Sequence, residues 1–332
     1  MQITFSLILA SIAALSAGND TYPDTGTKGM MGFAKKGCTT GGTGGPVVKI
    51  KTLDELRKQI ADIKPRILVL VRNITISEKT EIRVGANKTI IGSWEGNILD
   101  NVYLITRPRS RNVIFQNLVF KHSPKNVDNG DTQLILQNGE RYWIDHCTFD
   151  GQKVDYDDLG KLLKIAEKVD FVTISNSKFM NHTYGLIFGH PHSDESVVGI
   201  YNNYPRVTVM YNHFDNLYVR GPGLMRFGKY HLLNNYITNY HLGLTIHFFS
   251  KIYSENNYYT KSSKKDHVLD DKGNGFFKDI GSKNMQKTQI SPKLTAWKPS
   301  TDYRYKAESA EYARDFCVKY SGAQTNHLVF GG

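Results

Sequence analysis

The chain lacks the features that mark a disulfide scaffold, a membrane bundle or a helical protein. Its 332 residues include three cysteines, too few for a dense disulfide framework. Beyond its first residues no apolar run is long enough to cross a bilayer. Runs of helix formers at helical period are few, and Asn-Gly and Asp-Gly hairpin turns are scarce between the apolar segments. Acidic residues are also in short supply: 31 Asp and Glu stand against 42 Lys and Arg, a formal net charge of +11. Such a balance points to a polyanionic partner, which leaves nucleic acid, a membrane surface or an acidic polysaccharide.

What the chain does have is strand chemistry, with 19 Tyr, 16 Phe, 29 Gly and many Asn. Its N-terminus reads as a leader. An apolar stretch from Phe5 to Leu15 is followed by the small residues Ser16, Ala17 and Gly18, the layout of a signal peptide over residues 1–17. One secreted domain over residues 18–332 is the expectation, and secretion removes intracellular nucleic acid as the polyanion. Four Asn-x-Thr acceptors, Asn19, Asn73, Asn87 and Asn181, fit an extracellular glycoprotein. In an oxidising compartment Cys38 and Cys317 are candidates for one terminal disulfide, whereas Cys147 lies in an apolar run and reads as a buried thiol.

From about residue 67 the sequence becomes a series of short strand-like runs. One frame returns at Asn112–Phe120, Arg141–Phe149, Phe171–Phe179 and Val207–Phe214, then in versions ending Asn234-Asn235-Tyr236 and Asn256-Asn257-Tyr258. The steps from Asn212 to Asn235 and to Asn257 are 23 and 22 residues. Short strands at this period with Asn at the corners predict an all-β fold, a right-handed single-stranded parallel β-helix. Residues 53–63 carry Leu53, Leu56, Ile60 and Ile63 at helical spacing and predict a short capping helix. Residues 303–320 predict a C-terminal tail packed on the coils.

Several phrases in order carry a family resemblance. Trp143-Ile144-Asp145-His146 followed by Phe171-Val172-Thr173-Ile174-Ser175, with Asn87–Gly92, Arg111–Leu118 and the stretch Asn216–Tyr236, resembles polysaccharide lyase family one, the pectate and pectin lyases. The resemblance spans roughly residues 40–260. It implies cleavage of polygalacturonate or pectin by β-elimination, with an arginine as the base that removes the C5 proton. The family's Arg-x-Pro-x-x-Arg corresponds to Arg220-Gly221-Pro222-Gly223-Leu224-Met225-Arg226, one residue longer here. By that likeness Arg220 is the base and Arg226 a substrate clamp, acting in a monomer without nucleic acid or membrane.

The resemblance also implies a calcium site, and here the chain departs from it. The first ligand falls at Asp131, or at Gln133 in strict register, while the two further ligand positions hold Gly160 and Lys164. A lysine cannot bind calcium, but its ammonium can contact a uronate directly. The acidic run Asp155-Tyr156-Asp157-Asp158 is either a source of displaced ligands or a solvated loop. Tyr184 stands where calcium-dependent members carry a substrate-binding lysine, and could stack on a sugar ring. Asp145 and His146 read as strand residues supporting the cleft. The alternatives are a calcium-independent pectin lyase-like enzyme and a non-catalytic pectin-binding relative.

Overall fold

Each circuit of the chain is made of short strands separated by corners, and each strand pairs in parallel with the strand one circuit on. The computed structural model describes residues 21–191, 194–260, 267–285 and 292–331, so the expected leader and Asn19 lie outside the described residues. The architecture is the right-handed parallel β-helix that the repeat predicts. Three sheets run along it. A covered sheet includes Glu140–Asp145, Asp170–Ser175, Arg206–Met210 and Lys229–Leu233. A side sheet includes Thr148–Asp150, Lys178–Tyr184 and Tyr236–Thr238. An open sheet includes Thr132–Leu136, Lys161–Ile165, Leu186–Phe188 and Leu242–Ile246. The long strands Ile74–Gly92, Ile98–Gln116 and His213–Met225 bend from one sheet into the next.

In-register stacking puts like residues on like. Phe120, Phe149, Phe179 and Phe214 form an interior column with ring centroids 4.6, 4.8 and 5.2 Å apart and planes within 10° of parallel. Burial of each ring contributes roughly 2 kcal/mol, and the offset stack adds about 1 kcal/mol per contact. Leu134, Leu163 and Leu186 stack likewise under the open sheet.

The corner between the covered and side sheets explains the Asn-Asn pairs. Its first residue is left-handed in the later circuits: Asn176, Tyr211, Asn234 and Asn256 have φ of 48°, 52°, 52° and 48°. Asn tolerates that conformation better than most L-residues. The second residue turns inward and links the coils. Asn212 Oδ1 accepts from Ser177 N at 2.9 Å, Asn235 Oδ1 from Asn212 N at 3.1 Å, and Asn257 Oδ1 from Asn235 N at 2.8 Å. Their Nδ2 groups donate back to the carbonyls of Ile174, Val209 and Leu232 at 2.8–3.0 Å. Corner side chains outside the buried ladder bond across coils too. Asn87 Nδ2 donates to Ile63 O and Asn181 Nδ2 to Asp150 Oδ1, so those two acceptor amides are engaged in the stack.

The first and last described segments of the chain lie on the covered sheet. Phe33 N and Ala34 N donate to Thr208 Oγ1 and Thr173 Oγ1 from the helix Gly32–Lys36, and Met30, Ala34 and Phe330 close over Trp143. The capping helix is Leu53–Ile60, started by a Thr52 capping box, and the tail ends in the helix Ala310–Tyr320. This arrangement corrects two expectations. Asp145 and His146 do not support the cleft. They are fully buried on the covered sheet, where His146 Nδ1 meets Asp145 Oδ2 at 2.7 Å and Nε2 meets the tail carbonyl of Val329 at 2.9 Å. Nor do Cys38 and Cys317 pair. The Cys38 thiol is exposed at the turn after Gly32–Lys36, whereas Cys317 is buried among Met210, Tyr211, Leu233 and Phe316, and each is free.

The ladder generates a stability prediction. Asn235→Ala leaves Asn212 N buried without its partner and removes a donor from Val209 O, at a cost of about 3 kcal/mol. The expected outcome in equilibrium denaturant unfolding is a lower midpoint with an unchanged slope; an unaltered midpoint contradicts the ladder's role.

Candidate active site

With the covered sheet under the first and last described segments, the open sheet presents outward side chains to solvent. Pairing aligns Ile105, Ile135, Lys164, Ile187, Leu224 and Thr245 in one column across neighbouring coils. Lys164 sits in its middle, half-buried, flanked by apolar residues on both sides.

Arg220 enters from the rim. Val219 pairs with Leu242 and Gly223 with Leu244, so three residues, Arg220, Gly221 and Pro222, oppose the single Gly243 of the next coil, and the excess bulges outward. Such a bulge re-aims side chains. It carries Arg220 at φ 67°, a left-handed backbone strained for a residue with a Cβ. The extra residue in the motif is therefore accommodated within a local register shift. Two glycines in the preceding coil make room: a Cβ on Gly185 would sit 2.3 Å from Arg220 O, and one on Gly189 2.3 Å from Arg226 O.

The structure brings the expected residues together. The Arg220 guanidinium carbon lies 4.8 Å from the Tyr184 ring, and Tyr184 pairs with Val219 beside it. Arg226 follows on the same strand's end, with its Nε buried and without a hydrogen-bond partner among the described residues. Burial lowers the pKa of Arg220, and burial together with the charge of Arg220 lowers that of Arg226.

A further cation, Lys161, is not foreseen by the motif. Its side chain is held below the surface, with the residue 7% exposed. Its ammonium donates to Asn129 O at 3.2 Å, to Asn129 Oδ1 and to Leu159 O at 2.5 Å, and lies 5.8 Å from the Tyr184 ring. Burial first, then the charges of Arg220 and Lys164, push its pKa down to about 8, against the pull of Asp158. Among the described residues none of Lys161, Lys164, Arg220 and Arg226 forms an ion pair. By contrast, Arg206 is matched by Asp170 and Lys88 by Asp62. Concentrated and uncompensated charge of this kind makes an anion site.

Beside the cations runs an aromatic row. Tyr156, 66% exposed, meets Tyr218 edge-on at 4.8 Å, and Tyr218 stacks on His241 at 4.6 Å. Tyr218 lies two residues before Arg220 in one extended strand, and that period-two spacing is the signal that could have found it.

Among the described residues, the side chains at the expected calcium positions are otherwise engaged or are not acidic. Asp131 is buried, with Oδ1 accepting from the Lys79 ammonium and Oδ2 from Asp128 N at 2.9 Å. Gly160 cannot be replaced by a carboxylate, because its Cβ would come 2.7 Å from Asp131 O and 2.9 Å from both Asp158 Oδ1 and His122 Cε1. Lys164 is itself a cation. A hard cation needing six or more oxygens is poorly matched to this set. The acidic run is engaged as well, since Asp155 pairs with Lys153 at 2.7 Å.

Asp158 is buried between His122, 2.9 Å from its Oδ2, and His182, 3.4 Å from the same oxygen. Burial would raise the Asp158 carboxyl, but the hydrogen bond from His122 and the nearby His182 imidazole hold it well below the usual range. Tyr184 N donates to His182 Nδ1 at 3.1 Å, which leaves the His182 proton on Nε2, facing Asp158. A metal-bound histidine instead donates from its second nitrogen to an acceptor. The cluster is hydrogen-bonded support beneath Lys161 and Tyr184.

The sequence profile of a family described as pectate lyase matches residues 2–326. A pectin lyase from Bacillus subtilis is 46% identical, with 98% of this chain and 97% of that protein covered. A pectin lyase from Pseudomonas marginalis is 45% identical, covering 94% and 99%. Among solved structures, the crystal structure of a pectate lyase from Bacillus sp. N165 in complex with trigalacturonate superposes with a TM-score of 0.72 at 22% identity, covering 89% of this chain and 99% of that one, a likeness of fold.

The site's donor set predicts that calcium titrated into the protein at neutral pH gives no saturable heat of binding. Saturable binding that disappears in Asp131→Asn contradicts that outcome.

Proposed function

The chain belongs to the pectate lyase family, and from that premise we propose that it is a secreted enzyme cleaving esterified pectin by β-elimination without calcium. The observation that carries the reading is the set of cations on the open sheet, gathered around Arg220, with no carboxylate partner among the described residues. Two relatives that match nearly the whole chain are pectin lyases. The apolar neighbours of Lys164 in its column, Ile135 and Ile187, suit a methyl ester better than a hydrated metal would. The leader expected over residues 1–17 supports export.

The chemistry follows from charge. Removing the C5 proton of a uronate builds negative charge on its carboxyl group, and fixed positive groups aimed there stabilise it. Lys164 and Arg226 supply that charge. Arg220, on its strained bulge, takes the C5 proton. The electron pair forms the C4–C5 double bond as the C4–O bond breaks; the departing oxygen takes a proton from water to become the new chain end, and Arg220 returns its proton to solvent. Burial and the absence of an acidic partner favour the uncharged guanidine that such a base requires. Tyr184 holds the guanidinium plane from one side, and the row Tyr156–Tyr218–His241 offers faces for neighbouring sugar rings.

The direct test is the ultraviolet absorbance of unsaturated product on low- and high-ester pectin, with and without chelator. The expected result is higher kcat/KM on high-ester pectin and no effect of chelator. Arg220→Ala is expected to lower kcat by about 10²- to 10⁴-fold. A folded wild-type protein that binds pectin and forms no product overturns the lyase reading in favour of a binding protein.

Lys161 adds a pH prediction. Below about pH 8 it is charged, and above that it is neutral. As pH rises through that range, KM for de-esterified substrate should increase roughly fivefold, about 1 kcal/mol of lost attraction, while KM for high-ester pectin stays level. Lys161→Met should remove the difference; a profile unchanged by that substitution contradicts it.

A further inference from the structure

A second concentration of positive charge lies away from the cleft, at the C-terminal end of the covered sheet. Pairing aligns Arg206, Lys229, Lys251 and Phe276 on successive coils. Arg206 is claimed by both oxygens of Asp170. Lys229 reaches Asp302 only at 4.0 Å, and that carboxylate already accepts from Trp297 Nε1 at 2.8 Å and from Lys36 at 3.1 Å. Lys251 has no carboxylate within ion-pair distance among the described residues. It donates to Asn202 Oδ1 at 3.0 Å and Asn203 Oδ1 at 2.6 Å, and burial followed by the charge of Lys229 lowers its pKa.

These lysines open on a cavity of about 310 Å³ whose lining includes Asn203, Lys229, Lys251, Phe276, Thr295 and Trp297. The indole is fixed in place: its N–H is bonded to Asp302, its ring stacks on Phe33 at 6.2 Å, and the Lys229 ammonium lies 5.7 Å from it. Leu294, 75% exposed, stands at the edge. The volume suits a small ring. Aromatic walls favour the apolar face of a sugar, and two neighbouring ammonium groups favour a carboxylate on it. A bare inorganic anion would make no use of the aromatic walls.

We propose that this cavity is a second carbohydrate site, taking one uronate ring of an acidic oligosaccharide, with Phe276 and Trp297 against the ring and Lys229 and Lys251 against its carboxylate. The choice of a uronate rests on the proposed function. The site touches none of the reacting groups. Its role is to tether the enzyme to a polymer whose other segments lie in the cleft, raising the effective concentration of substrate there.

The experiment uses calorimetric titration of trigalacturonate into the full chain carrying Arg220→Ala, which prevents turnover. Two binding events are expected. Adding Lys251→Ala, or Lys251→Gln as a milder change that keeps a donor to Asn203, should weaken one of them by at least about tenfold and leave the melting temperature and the other event unchanged. In an otherwise wild-type chain, Lys251→Ala should keep kcat on short soluble substrate while lowering the rate on polymeric pectin. A single event insensitive to Lys251 overturns the site and leaves the lyase reading intact. Inorganic phosphate that binds as tightly as trigalacturonate overturns the sugar assignment. Lys251-dependent binding in a wild-type chain that forms no product supports the site and removes the lyase reading.

Discussion

The rest of the molecule depends on the hydrogen bonds that lock one coil onto the next at the Asn corner. Each inward amide satisfies a backbone N–H of the previous coil and a backbone carbonyl beside it, as Asn235 does for Asn212 N and Val209 O. A slip of one residue would turn every interior side chain outward, so the ladder and the phenylalanine column fix the same register. That register decides the cleft. It places Lys164 in line with Ile135 and Ile187, and Tyr184 in line with Val219 next to the Arg220 bulge. A local break in pairing, between Val219 and Gly223, is where the strained arginine emerges.

Electrostatics then follow from what is absent near these groups. Cations close enough to lower one another's pKa are unfavourable unless something pays for them, and here neutral carbonyls, an aromatic face and Asp158 behind the cleft hold Lys161 in place. A bound acidic substrate would relieve the repulsion. On the other side of the cleft Asp131 is neutralised by Lys79 from within the protein. An internal ammonium thus occupies the carboxylate that would otherwise invite a metal, and Gly160 leaves no room for a second acid.

Much of this was legible in the sequence because it is periodic. Asn234-Asn235 and Asn256-Asn257 show both corner requirements, a left-handed residue followed by an inward amide, and the Phe spacing anticipates the interior stack. Arg220, Arg226, Lys164 and Tyr184 converge as the resemblance implies. What was illegible is contact between loops of unequal length. Lys161 and Lys79 acquire their importance from neighbours on other coils, Asn129 and Asp131, that no local spacing reveals. Cys38 and Cys317 lie near the two ends of the sequence but face different surroundings, one solvent and one core. Asp145 and His146, in a phrase shared with family markers, read as strand residues supporting the cleft, yet their strand belongs to the covered sheet, under the tail carbonyl of Val329.

The central claim is that protein cations, rather than a metal, hold the uronate on the open sheet. A crystal structure of Arg220→Ala with a partly methylated oligogalacturonide, grown in chelator, tests it most directly. The account predicts a sugar chain across Lys164 and Arg226, C5 of one ring facing position 220, and the Asp131–Lys79 pair intact. A chain bound only elsewhere, or one that enters the cleft solely when calcium bridges it to Asp131, would contradict it.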